Sequence, residues 1–298
     1  MISILIPTYN YNTFPLVKEL HSQAVAEEIQ FEIIVLDDAS QNTDAIQDNF
    51  KINDLSHCSF ESNAENLGRG PNLNKLVRKA RHEWLLIMDC DTFPYNELFL
   101  RKYIDVISKG SDVVFGGIAY HSEVPESDEL FRWVYGRKRE AVDVETRLRK
   151  PYQNVLTSNI LVAKKVLERF PFPEFITTYG FEDLVFVLKL KKHNIQVHHI
   201  DNAAFHLNLE KSVIFLNKYN SSLKNLKYLL DNKIIEADAT PLSKLYNSLQ
   251  KMKLLFLVSI VFRIAKKQIV RNLVSTRPSL LLFDFYKLGY LNALSKAT

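Results

Sequence analysis

A chain of 298 residues with 47% hydrophobic content carries enough apolar material to bury a large core, which excludes a disordered polymer. Its only cysteines, Cys58 and Cys90, exclude a disulfide framework and a cysteine-based zinc site. The formal charge of +4 is unevenly spread: from Lys251 onward nine Lys/Arg face one Asp, a net of +8, which leaves −4 on residues 1–250. The start, MISILIPTYN, lacks the basic region and long apolar run of a secretory signal, so the expected location is the cytoplasm. No repeat or low-complexity tract interrupts the chain.

Short apolar runs alternate with helical patterns through the first two hundred residues. The predicted strands are Ser3–Ile6, Glu32–Leu36, Ser59–Glu61, Trp84–Met88 and Val113–Ala119; helices are predicted over Phe14–Ala26, Pro71–Arg81 and Glu97–Ser108. Continuous apolar strands alternating with helices predict an α/β fold, a mostly parallel sheet covered on both faces. After Tyr120 the alternation gives way to a charged insertion, 120–155, with one helix expected over Asp128–Arg139; an insertion of this size beside a crevice suits a lid or acceptor region. TSNILVAKKVLERF then reads as a strand and a short helix. YGFEDLVFVLKLKKHN is a helix with acids in its first turn and bases in its last, as the macrodipole favours. The strand IQVHHI leads to His206, and beyond it the pattern is helical almost to the end. The expected division is 1–208 and 209–298.

Three strand ends carry the chemistry: Pro7-Thr8-Tyr9-Asn10, Asp37-Asp38-Ala39-Ser40, and Asp89-Cys90-Asp91. If those strands are neighbours, one crevice at the carboxyl edge of the sheet collects them all. Asp89 and Asp91 lie two apart, and in an extended segment both address the same side, where their oxygens suit Mg²⁺ or a similar hard cation. A solvated loop or a helix cap would look the same. Asp38 either turns the chain and caps a helix or accepts hydrogen bonds from a nucleotide. NLGRGPNLN, from Asn66, offers Gly68 and Gly70 for tight backbone and Arg69 as an anion partner at a helix start, though it equally suits ordinary helix entry. It lacks the Gly-Lys-Ser/Thr ending of a Walker loop. Glu182 and Asp183 open a helix; either they cap it, or one takes a proton from an attacking hydroxyl. His206 is a metal ligand, a base or a half-buried structural histidine.

Taken in order, SILIPTYN, IIVLDDAS, ENLGRGPNLN, WLLIMDCDTFP, GFEDLVFVLKL and a histidine past the next strand resemble the inverting nucleotide-sugar glycosyltransferases of family 2, over roughly Met1 to His206. The resemblance implies a GT-A fold, a nucleotide-binding α/β sheet flanked by helices, here with a mostly helical C-terminal extension. It assigns Pro7, Thr8, Tyr9 and Asp38 to the nucleoside, usually uridine, with Asn66 and Arg69 also on the donor. Asp89 is implied as ribose or metal partner, Asp91 as direct metal ligand and His206 as a third metal contact. Asp183 matches the catalytic base, with Glu182 orienting the acceptor or the base. Ser158 and Asn159 stand where many members have a glycine-rich strand around the donor sugar. The implied cofactor is Mn²⁺ or Mg²⁺; the implied reaction moves a sugar, from UDP by preference, to a glycan or lipid-linked hydroxyl in surface-polysaccharide or glycoconjugate assembly. A nucleotidyltransferase would show a glycine-rich basic loop after the first strand, which PTYNYN is not. A non-catalytic sugar-binding subunit would not need Asp91, Asp183 and His206 together.

The tail is a separate electrostatic object. At about 100° per residue, Lys253, Arg263, Lys266, Lys267 and Arg271 fall on one arc, and Leu254, Leu257, Val258, Val261, Ile264 and Ala265 on the opposite one. The apolar run is far shorter than a spanning helix requires. Residues 251–290 suit an anionic membrane surface, and equally suit packing on the catalytic domain or a homo-oligomer contact. Nucleic acid is not an expected partner, because no recognisable module accompanies the charge.

Overall fold

The computed structural model describes residues 1–176 and 178–295. The chain divides into two compact units. One comprises Met1–His121, Arg137–Thr177 and Glu182–Asn208; the other comprises Ser122–Gly136, Thr178–Phe181 and Leu209–Thr298.

The first unit is an α/β sandwich around a seven-stranded sheet. Strands β1 (Ile2–Thr8), β2 (Phe31–Asp37), β3 (Cys58–Ser62) and β4 (Trp84–Met88) run parallel in the spatial order β3-β2-β1-β4. All seven residues of β1 and of β2 are buried, because helices cover both faces. Ile4 and Ile6 pack with α1 (Phe14–Ala26) and α4 (Phe99–Ile107); Leu5, Ile87 and Leu85 pack with α3 (Arg69–Lys79) on the other face. Each such Leu or Ile contributes about 2 kcal/mol relative to exposure. Pro7 lies in β1 beyond Leu5, the last residue paired with β4, so its missing N–H removes no ladder hydrogen bond on that side.

The sheet continues through β8 (Asn159–Ala163), the one antiparallel strand, to β6 (Val113–Phe115) and the edge strand β9 (His198–His199). Antiparallel entry sets the start of β8 beside the carboxyl end of β4, with Asn159 paired to Met88. The predicted strand Val113–Ala119 breaks in two. Gly117 has φ +101°, which favours glycine, and a Cβ on Gly116 would stand 2.3 Å from the Tyr103 hydroxyl. Beyond the break, β7 (Ile118–Ala119) joins β5 (Thr92–Pro94) and β10 (Ala204–His206) in a second, three-stranded sheet. Only His198 and His199 of the expected IQVHHI strand pair. Four further helices belong to this unit: α2 (Thr43–Phe50), α6 (Val144–Arg149), α7 (Lys164–Arg169) and α8 (Glu182–Lys192).

The second unit is helical: α5 (Leu130–Tyr135), α9 (Ser212–Asp231), α10 (Pro241–Lys251), α11 (Leu255–Leu273) and α12 (Leu280–Leu294). The helix expected over Asp128–Arg139 is realised as α5 over Leu130–Tyr135 and, next in the chain, a π-helix over Gly136–Glu140. Phe131 of α5 is fully buried, edge-on to Phe215 of α9 and Phe283 of α12 at 5.2 and 4.8 Å. Helix α11 departs from the expected two-sided pattern. Its buried stripe is Phe262, Ile269 and Leu273, against α12, while Leu257, Val261 and Ile264 of the expected apolar arc face solvent. Among the described residues no helix is long and apolar enough to cross a membrane.

Candidate functional site

Because β2, β1 and β4 are neighbours, their carboxyl ends bring three loops together. Asn10, in left-handed backbone after β1, ties the first two: its N–H donates to Ser40 Oγ at 2.6 Å, and its Oδ1 accepts from the N–H groups of Gln41 and Asn42 at 2.8 and 3.0 Å. Pro7 and Thr8 are buried, and Tyr9 is exposed at the mouth of this edge. Sequence reasoning missed the clamp, although Asn is a residue that tolerates left-handed backbone and bridges turns through its side chain.

Asp38 is buried, and its carboxylate accepts from the N–H groups of Leu67 and Gly68 at 2.9 and 2.8 Å and from Asn63 at 3.1 Å. The acid expected to face a nucleoside thus holds the Asn66–Gly68 loop, and Asn66 is exposed on it. Gly68 caps α3 at φ +87°, a conformation that favours glycine. Arg69 follows directly and points back across the strand ends.

The stretch Asp89–Asp91 is a turn: the Thr92 N–H and hydroxyl both donate to the Asp89 carbonyl, at 3.0 and 2.7 Å. A turn removes the two-residue alternation on which a shared metal site was expected, so the two acids take different partners. Asp89 Oδ1 accepts from Arg69 Nη2 and Nε at 2.7 and 3.2 Å. Asp91 Oδ1 lies 3.5 Å from His206 Nδ1, and the Leu207 N–H donates to the Asp91 carbonyl at 2.8 Å, which anchors the end of β10 here. Burial, with the Asp91 charge adding to it, pushes the Tyr11 hydroxyl and the Cys90 thiol up to about 12. Tyr11 is a neighbour of this pair that the sequence did not single out.

Arg69 is the hub of a second cluster. Its Nη1 donates to Thr157 Oγ1 at 2.9 Å and to Asp183 Oδ1 at 3.2 Å, and stands 3.9 Å from Glu182 Oε1. The Thr157 hydroxyl also donates to Asp183 Oδ1, and its N–H reaches Oδ2 at 3.3 Å. Fully buried Thr157 thereby orients Asp183, another residue not foreseen. Glu182 is buried with Oε2 lacking a hydrogen-bond partner. Burial, with the Asp183 charge adding and Arg69 opposing, raises its pKa to about 7. Burial also raises that of Asp89, with Asp91 adding and Arg69 opposing.

Ser158 and Asn159 separate. The Ser158 carbonyl accepts from the Asp89 N–H at 3.1 Å, at the edge of the site. Asn159, expected to line a sugar pocket, is fully buried. Its Nδ2 donates to the carbonyls of Gly117 and Asn202 at 2.8 and 2.9 Å, and its Oδ1 accepts from Tyr103 at 2.6 Å. It pins the glycine break from beneath, because every polar atom it has is used inside the protein.

Asp89, Asp183 and Glu182 face the one guanidinium of Arg69, and Asp91 lies beside His206, which leaves the edge electronegative and favours a cation. Asp91 and His206 supply an oxygen and a nitrogen donor side by side, a set that fits Mn²⁺ or a similar divalent ion. Among the described residues no group of three acidic, histidine or cysteine side chains is arranged to hold a metal ion by itself. An ion held here would draw the rest of its shell from phosphate oxygens and water, as Mg²⁺-type sites commonly do.

Comparison with known proteins follows the same lines. No protein of curated function matches the chain. Among solved structures, S. aureus TarS 1-349 in complex with UDP-GlcNAc is 18% identical at TM-score 0.53, covering 99% of this chain and 91% of that one. The mannosyltransferase PcManGT from Pyrobaculum calidifontis, in complex with GDP-Man and Mn2+, is 15% identical at TM-score 0.56, covering 99% and 87%. Another S. aureus TarS 1-349 structure is matched at 20% identity and TM-score 0.48 over 76% of this chain, which spans 64% of that one's length. The likenesses to the UDP-GlcNAc complex of TarS and to PcManGT are of fold: a mixed sheet flanked by helices, of the GT-A kind. Residues 3–169, more than half of the chain, match the family model Glycosyl transferase family 2, and the chain belongs to that family.

Proposed function

We propose that this chain transfers a sugar from a nucleotide-sugar, with inversion, to a hydroxyl of a glycan or lipid-linked acceptor in surface-polysaccharide or glycoconjugate assembly. The observation that carries the reading is Arg69, which joins the donor-side acid Asp89 to Asp183 through one guanidinium. In this reading Pro7–Tyr9 and Asn66 border the nucleoside, with Asp38 and Asn10 holding their loops. Asp91 and His206 would hold a divalent ion, which supplies positive charge to the diphosphate as it leaves. Ser158 borders the donor sugar, and the insertion 120–155 borders the acceptor.

The acceptor oxygen attacks the anomeric carbon from the face opposite the diphosphate and gives its proton to Asp183. The bond from the anomeric carbon to the diphosphate oxygen breaks, and its electron pair leaves with the nucleoside diphosphate. One displacement inverts the centre and needs no second carboxylate as covalent nucleophile. Thr157 and Arg69 hold Asp183 for that transfer, because both bind the same oxygen, Oδ1, leaving Oδ2 with only the long 3.3 Å contact. A second reading has its own support: Glu182, with an unpartnered buried oxygen and a pKa near 7, suits a general base.

TarS and PcManGT, as solved, hold UDP-GlcNAc and GDP-Man with Mn2+ respectively, so both nucleotides belong in the test. Isothermal titration with UDP and GDP, with and without Mn²⁺, should give metal-dependent UDP binding that Asp91→Asn weakens at least tenfold. No binding of either nucleotide in either metal state would overturn the donor-site reading. Once a donor is known, Asp183→Asn should abolish transfer while Glu182→Gln lowers it; the reverse ranking would make Glu182 the base.

A further inference from the structure

Helix α11 presents a solvent face that its own unit does not use. Phe256, Leu257, Ile260 and Val261 are 46–56% exposed, and Ile264 is 73% exposed. Their spacing puts them within an arc of about 140°, at about 100° per residue, along about 12 Å of helix. The helix is buried on a different stripe, Phe262, Ile269 and Leu273. Arg263, Lys267 and Arg271 are exposed and border that apolar arc or continue it toward the helix end, and Lys253 is exposed in the turn that precedes the helix. From Lys251 onward the only acid is Asp284, which pairs with Lys287 at 2.7 Å, and none of the four cations makes an ion pair among the described residues.

We infer that this face seats the protein on an anionic bilayer surface, with α11 in the plane of the interface. The apolar residues enter the headgroup–acyl boundary, and the four cations reach the anionic headgroups, their apolar stems lying along the boundary. Charge decides the occupant. A second copy docked on this face by a two-fold axis would set cations against the same cations with no acid to receive them, whereas a surface of anionic lipid complements all four. The bilayer contact is independent of which donor or acceptor the first unit uses.

The test uses the full chain and sedimentation with vesicles of phosphatidylcholine containing about a third phosphatidylglycerol, against pure phosphatidylcholine. Binding to the anionic vesicles is expected, with at least a tenfold loss on pure phosphatidylcholine, in high salt as screening predicts, and in Ile260→Ser/Ile264→Asp or Arg263→Glu/Lys267→Glu. These positions are exposed, so the melting temperature and Mn²⁺-dependent UDP titration of the variants serve as controls for fold and donor site. Failure to bind anionic vesicles, equal binding to both vesicles, or variants that bind as the parent does would overturn the inference. So would a dimer, seen by light scattering, that the apolar variant dissociates. Loss of UDP titration with vesicle binding intact would count against the donor reading alone.

Discussion

Replacing Arg69 by methionine leaves Asp89, Asp183 and Glu182 facing one another without their counter-charge. The expected cost is about 2 kcal/mol, below that of breaking a fully buried pair because 23% of the Arg69 side chain meets water. Lysine restores the charge but not the fork that reaches Asp89, Thr157 and Asp183 together. Arg69→Lys should therefore melt near the parent temperature yet lose about 100-fold in transfer rate, as misplacement of reacting groups predicts; a fully active lysine variant would reduce Arg69 to bulk charge. Glu182 makes a pH-dependent prediction. Its pKa rises from the ordinary 4.5 to about 7 in the fold, so the folded state keeps a proton that the unfolded state has released. The stability linked to this group is full below about 4.5 and is lost as pH rises through about 7. The stability of the parent relative to Glu182→Gln, from urea titrations between about pH 5 and 8, should fall with rising pH. A difference flat across that window would show that burial does not govern the group.

Helices α11 and α12 meet where Gly289 faces Phe262. A Cβ at Gly289 would stand 2.3 Å from Phe262 Cδ2 and 2.9 Å from its Cβ. In an unconstrained helix Gly→Ala gains about 1 kcal/mol, but overpacking here costs about 1–3 kcal/mol and involves an atom close to the partner backbone. Gly289→Ala should thus lower the melting temperature by several degrees, and a rise would mean that the two helices can separate. Local pattern was informative for α1, whose expected span matches the structure, because its apolar residues repeat at helical spacing and Pro15 fits its first turn. It failed for Val113–Ala119, where the apolar run hides two strands of different sheets. The adjacent glycines Gly116 and Gly117 were the available warning.

The two units are not consecutive in sequence, since Ser122–Gly136 and Thr178–Phe181 belong with Leu209–Thr298. A chain ending at Asn208 keeps Phe131 but removes Phe215, Leu216 and Phe283, which bury it. Such a truncation should expose apolar surface, bind a hydrophobic dye and melt well below the parent. A soluble, cooperatively melting 1–208 would instead establish that the first unit is stable without the helices. That measurement also decides whether the division expected near Asn208 is a folding boundary or only a change of pattern.

The order of strands, helices and acidic strand ends along the sequence determined the α/β class and the shared carboxyl edge, because buried parallel strands and their helices impose periodicities that local composition records. Asp91, Asp183 and His206 were likewise singled out from type and spacing. Tertiary structure alone decided their partners. The turn at Asp89–Asp91 sends the two acids apart, the antiparallel β8 delivers Thr157 to Asp183, and Asp38 and Asn159 spend their polar atoms inside the protein. The exposed face of α11 belongs to the same class: sequence distinguishes apolar from basic arcs, but only packing against α12 decides which arc remains in water. Contacts between residues far apart in the chain leave no local periodicity, so they become visible only when the chain is folded.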